Sequence, residues 1–180
     1  RILLYLLEEK IILIDKYILS IISSSEYMNM DYYEYFLPEI LEFYSNNEEE
    51  TVHTFPEEFY LKRKIGENDQ YLCTIIRNDS VVEFIKYVNK TNLPLSSEID
   101  NSIFETNYFL LKCKKISLIE YAAFFGSMQI IQYLILNKID LKNTLWPFVI
   151  YGKNPELIHL LEENHINPAN LAFIRCLLNA

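Results

Sequence analysis

Any chemistry in this 180-residue chain would have to be built from three cysteines, three histidines and its carboxylates. Their spacing builds none. Cys73, Cys113 and Cys176 include no CxxC pair, so they give neither a zinc ribbon nor, being odd in number, a complete disulfide framework. His159 and His165 stand six positions apart, whereas a helix places residues three or four apart on one face. His53 is remote from both in sequence. Glu57-Glu58 and Glu162-Glu163 are adjacent, so their side chains diverge around a helix instead of meeting as an acid/base pair. No glycine-rich phosphate loop, HExxH or GxSxG motif is present. The chain is therefore read as a non-enzyme with no catalytic residue, no metal ligand and no cofactor.

Composition points the same way. The formal net charge is -9, a sign that repels nucleic-acid phosphates and anionic lipid heads. Lys62-Arg63-Lys64 is a basic cluster too short to reverse this. Half the residues (51%) are hydrophobic and 14% aromatic, which excludes disorder by composition. With only 3 glycines, the positive-φ turns of hairpin-rich β folds are scarce. The first apolar stretch, residues 1–22, is interrupted by Glu8, Glu9, Lys10, Asp15 and Lys16, which disfavours a membrane span. Unpaired thiols in apolar helical runs fit a reducing compartment, the cytoplasm. The two N-x-S/T sequons, at Asn78 and Asn89, then read as chance matches.

Apolar residues recur at helical spacing almost throughout. The pattern predicts helices at about 1–9, 13–22, 31–44, 56–63, 68–77, 79–89, 117–125, 128–137, 144–151, 155–163 and 169–179. Breakers fall between them, including Asn46-Asn47, Asn78-Asp79, Gly126, Gly152 and Asn167-Pro168. Asn68 reads as an N-cap and Pro155 as a first-turn proline. Both ends run into apolar helical sequence and look truncated from a longer protein.

The informative feature is repetition. Two short helices flank Gly126 in residues 117–141. A shift of 27 positions carries Ser117 onto Thr144, Ile130-Ile131 onto Leu157-Ile158, Leu134 onto Leu161 and Ile139 onto Ile166, with the glycine displaced by one. Upstream, Val81-Val82 match Ile130-Ile131, and Phe84-Ile85 match Tyr133-Leu134. Residues 117–141 resemble an ankyrin repeat: Ser117 takes the threonine place, Ala122-Ala123 the paired alanines, Gly126 the inter-helix glycine, and Ile130-Ile131 and Leu134-Ile135 the aliphatic places. Over roughly 55–167 the wording is closer still to a protist family that carries an ankyrin-like domain of unknown function.

The resemblance implies an all-α fold, an α-solenoid of ankyrin-like helix pairs. An ankyrin repeat is about 33 residues, so a 27-residue period implies shortened β-hairpin fingers. Ser117-Leu118-Ile119-Glu120 also lacks the proline and histidine of the family's tetrapeptide. The expected organisation is an N-terminal helical region at 1–50 packed on a repeat domain at 51–180, with an insert at about 90–115. The resemblance further implies that Ala122 and Ala123 lie where the paired helices approach.

It also places Phe124 and Phe125, with Tyr151 and Ile75-Ile76 in the neighbouring repeats, on the partner-facing surface. Two readings of this row stand. It is a protein-binding patch, because exposed rows of large apolar groups mark interfaces, or it is core covered by the insert or the N-terminal helices. The functional expectation is a non-catalytic interaction module that binds a protein whose identity the sequence does not specify. No nucleic acid, membrane or small-molecule substrate is implied. The alternatives are a structural repeat spacer and a non-catalytic fragment of a larger enzyme.

Overall fold

The computed structural model describes residues 5–7, 9, 11–23, 32–45, 55–113 and 115–168. The helix expected at 169–179, His53 and Cys176 lie outside them. The chain is helical, as the apolar periodicity requires, and no strand occurs among the described residues. An isolated antiparallel bridge joins Glu98 to Ser117. No described helix is long and apolar enough to cross a membrane.

The chain forms two compact units. One comprises Arg1–Asp69 with Asn101–Lys114, the other Gln70–Asp100 with Lys115–Ala180. The boundary thus falls at Asp69 and not near residue 50, and the expected insert is divided between the units.

The first unit contains α1 (Lys16–Ser23), α2 (Tyr32–Tyr35), α3 (Leu37–Ser45), α4 (Glu57–Ile65) and α7 (Tyr108–Lys112). The single helix expected at 31–44 breaks at Phe36. Ile22, Tyr35, Phe36 and Ile40 form the core beneath α1, with Leu7, Ile14, Ile18 and Leu19 packed on it. Arg63 explains why α4 joins this unit. It is only 2% exposed. It donates from Nη2 to Glu39 Oε1 at 2.6 Å, and its guanidinium lies 5.2 Å from the Tyr35 ring centroid and 5.6 Å from that of Phe59. A buried charge must be paired, so Arg63 ties α4 to α3. The central residues of the insert close the unit. Phe104 meets Phe59 edge-on at 5.4 Å, and the Gly66 carbonyl accepts from both Thr106 N and Thr106 Oγ1. Asn68 is not a helix cap. It is buried, its N–H donates to Glu105 Oε2, and the next helix begins only at Tyr71. Asn107 caps the short α7, a helix absent from the expectation, by accepting from Phe109 N and Leu110 N.

Among the described residues the second unit holds three helix pairs: α5 (Tyr71–Arg77) with α6 (Val81–Thr91), α8 (Leu118–Phe125) with α9 (Met128–Leu136), and α10 (Leu145–Gly152) with α11 (Pro155–Glu163). First helices pack on first helices, α5 against α8 and α8 against α10, while α6 packs against α9. Amphipathic pairs this short cannot bury their apolar faces alone, and stacking supplies the missing cover. Leu118, Ile130, Leu134, Val149 and Leu161 are all fully buried.

The backbone repeats more strictly than the side chains. Each inter-helix turn places one residue in the left-handed region: Asp79 (φ 49°), Gly126 (φ 72°) and Lys153 (φ 54°). Each turn is closed by the same six-to-one hydrogen bond, from Ser80 N to Ile75 O, Ser127 N to Ala122 O and Asn154 N to Val149 O. The second helices end alike, with Leu93 N on Val88 O, Ile139 N on Leu134 O and Ile166 N on Leu161 O. The 27-residue shift thus holds across the last two pairs without slippage, and Lys153, not Gly152, occupies the turn position of Gly126. Gly152 serves a different contact. A Cβ there would meet the Phe124 carbonyl of α8, so its missing side chain lets the α8 and α10 backbones touch.

The turns also tie pair to pair. Asp79 accepts from Gln129 N and Ile130 N, both at 3.0 Å, and so caps α9 from the preceding pair. Ser127 donates to Ile76 O at 2.6 Å.

Candidate functional site

The hydrogen-bond register fixes which residues are equivalent. Ser80, Ser127 and Asn154 occupy one position, so Ile75 aligns with Ala122 and Val149. Ile76 aligns with Ala123 and Ile150. The expectation that Ile75 and Ile76 share the row of Phe124 and Phe125 is therefore corrected. They are 1% and 0% exposed and belong to the core between helices. Matching Val81-Val82 to Ile130-Ile131 had shifted the first pair by two residues. In the structure α6 buries Phe84 and Val88, while Val82 is 62% exposed.

The residue equivalent to Phe124 in the first pair is Arg77, and in the third it is Tyr151. Sequence reasoning missed Arg77. Its position just before the Asn78-Asp79 turn was the available signal. Arg77, Phe124, Phe125 and Tyr151 are each partly exposed, so neither phenylalanine is fully covered by this chain. The rings of Phe124 and Phe125 meet edge-on with centroids 5.0 Å apart, and Tyr121 stacks obliquely on Phe125 at 4.8 Å. Arg77 organises the group. Its Nη1 donates to Tyr121 Oη at 2.8 Å, its Nη2 to Thr74 Oγ1 at 3.2 Å, and its guanidinium lies 5.9 Å from the Phe125 centroid.

The helices set this arrangement. The capping box of Ser117 and Glu120 starts α8, with Glu120 N donating to Ser117 Oγ and Ser117 N to Glu120 Oε2. Gly126 ends it in a left-handed C-cap. Between those stops, Ala122 (0% exposed) and Ala123 (2%) are buried, while Phe124 and Phe125 remain partly exposed. Such a surface offers aromatic area with a cation at its edge. It holds no nucleophile beside a base, and no group of three His, Cys, Asp or Glu suited to a metal ion occurs among the described residues. His159 lies 3.4 Å from Glu162 on the surface of α11. The thiols of Cys73 and Cys113 are unbridged.

A separate cavity of about 430 Å³ opens at the other end of α8 and α10. It lies between Ser117 and Thr144, the equivalent N-cap positions of the two helices. Compared with known protein families, curated proteins and solved structures, the chain matches none.

Proposed function

We propose that this chain is a non-catalytic protein–protein interaction module, an α-solenoid of ankyrin-like helix pairs with shortened β-hairpin fingers. The observation that carries the reading is the partly exposed row of Phe124, Tyr151 and Arg77 at equivalent positions of three stacked pairs, widened by Phe125. Regular stacking gives a rigid face. Rigid aromatic side chains lose little entropy on contact, Arg77 is already held by Tyr121 and Thr74, and aromatic and arginine groups supply the few anchors that dominate interface energies. The solenoid reading is further supported by the shared turn and helix-end hydrogen bonds of the pairs.

The test is affinity capture from the native cell with the wild-type chain and a Phe124→Ala/Phe125→Ala variant of matched circular dichroism and melting temperature. A protein partner lost from the variant supports the reading. An identical partner list for both ends it.

A further inference from the structure

Helix α4 buries one side and leaves the other uncovered. Arg63 and Phe59 pack into the first unit, and Lys62 is engaged by Glu58 at 2.9 Å and Asp69 at 3.0 Å. The opposite face carries three large apolar side chains, Tyr60, Leu61 and Ile65, exposed by 44%, 57% and 49%. At about 3.6 residues per turn they share one arc of the helix with Glu57 and Lys64. Single exposed apolar residues are ordinary, but three on one helical face form a patch. The Tyr60 ring is already held, edge-on to Phe59 at 5.9 Å and to Phe55 at 6.5 Å, so it has little freedom left to lose on contact.

The charges of this face are arranged end to end. Glu57 opens α4 and Lys64 stands in its last turn. Both are exposed, and neither makes an ion pair among the described residues. Seven residues apart, they are separated by about 10 Å along the helix, too far to pair with each other. An acid first and a base last suit the dipole of α4, and the same order makes the face complementary to its own reverse. About a twofold axis midway between Tyr60 and Leu61, antiparallel pairing sets Glu57 against Lys64 of a second copy, Tyr60 against its Leu61, and Ile65 against its exposed Pro56. Each contact then occurs twice. Parallel pairing would instead bring like charges together.

We infer that α4 is a self-association surface on which two copies of this chain pair antiparallel, with Tyr60 and Leu61 at the centre and a Glu57–Lys64 ion pair at each end. The surface is small. A helix of 9 residues spans about 14 Å and offers less than the roughly 800 Å² that a standard interface takes from each partner. The dimer is therefore weak, with an expected Kd of about 100 µM. It does not use the aromatic row of the interaction module.

Sedimentation equilibrium of the full chain tests this, at about 0.15 M salt so that the net charge of -9 on each copy is screened beyond about 8 Å. Across concentrations from roughly a tenth of the expected Kd to about ten times it, the wild-type mass should rise from monomer towards dimer. Leu61→Glu places a carboxylate at the centre of the patch and should leave a monomer. Lys64→Glu makes the face acidic and Glu57→Lys makes it basic, so each alone should weaken self-association by about tenfold. Mixed in equal amounts, these two single variants should pair with each other as tightly as the wild type pairs with itself. All three positions are exposed, so circular dichroism should stay unchanged. A monomeric wild type at every concentration, undiminished dimer in Leu61→Glu, or single charge variants that do not recover on mixing each overturns the proposal. Phe124→Ala/Phe125→Ala should dimerise as the wild type does, and loss of its dimer would place the contact on the aromatic row instead.

Discussion

Gly152→Ala tests the closest approach between two stacked helices. In α10 the missing Cβ of Gly152 faces the Phe124 carbonyl of α8, and an added methyl would overlap that oxygen. The carbonyl is backbone and the position of a Cβ is fixed by its own backbone, so no rotamer change relieves the overlap, and one helix must shift. Overpacking of this kind costs about 1–3 kcal/mol. Alanine recovers at most about 1 kcal/mol of helix propensity over glycine, and less at the last residue of a helix. The expected net loss is about 1–2 kcal/mol, or a melting temperature lowered by roughly 2–8 °C for a chain of this size. Urea denaturation followed by circular dichroism measures it, with the m-value unchanged if only packing is altered. The neighbouring Lys153→Gly supplies the opposite sign. Lys153 sits at φ 54°, where glycine fits without strain, and the substitution should stabilise by about 0.5–1 kcal/mol. If Gly152→Ala is neutral or stabilising, or Lys153→Gly destabilises, the assignment of the glycine to helix contact and of the lysine to the turn is wrong.

Ala122→Leu should cost about 1–3 kcal/mol in the same assay, since Ala122 is 0% exposed where α8 meets its neighbours; an unchanged melting temperature refutes the contact. Asp79→Ala removes the acceptor of Gln129 N and Ile130 N and should cost about 0.5–2 kcal/mol, seen as faster hydrogen exchange at the start of α9; protection equal to wild type would sink it. Burial of Asp69 opposes its ionisation, but hydrogen bonds from Ser102 and Lys62 outweigh it and hold the carboxyl below its ordinary pKa. A depressed carboxyl contributes stability above its unfolded value, near about pH 4, and loses it as pH falls through the folded value. Ser102→Ala should therefore move the Asp69 midpoint upward in a carboxyl NMR titration, and an unmoved midpoint refutes that cause.

The sequence by itself determined the local structure of the last two helix pairs of the second unit. Apolar spacing defined the helices near 117–125, 128–137 and 155–163 within a residue or so of their observed ends. The 27-residue shift was legible because the same cap and core residues recur at Ser117 and Thr144 and at Leu134 and Leu161. Helix formation and termination are decided by neighbours in sequence, so neighbours reveal them. Tertiary structure decided three things that spacing cannot carry. It moved the first pair by two residues, because burial of Phe84 and Val88 in the stack overrode the apparent match of Val81-Val82 to Ile130-Ile131. That shift removed Ile75 and Ile76 from the aromatic row and put Arg77 in their place. It assigned residues 101–114 to the first unit, because Phe104, Glu105 and Thr106 satisfy an aromatic ring and backbone groups of residues 59–68, a pairing remote in sequence. It also gave the displaced glycine its meaning. A glycine tolerated for a left-handed turn and one required for close helix contact are identical as letters, and only the carbonyl opposite Gly152 distinguishes them.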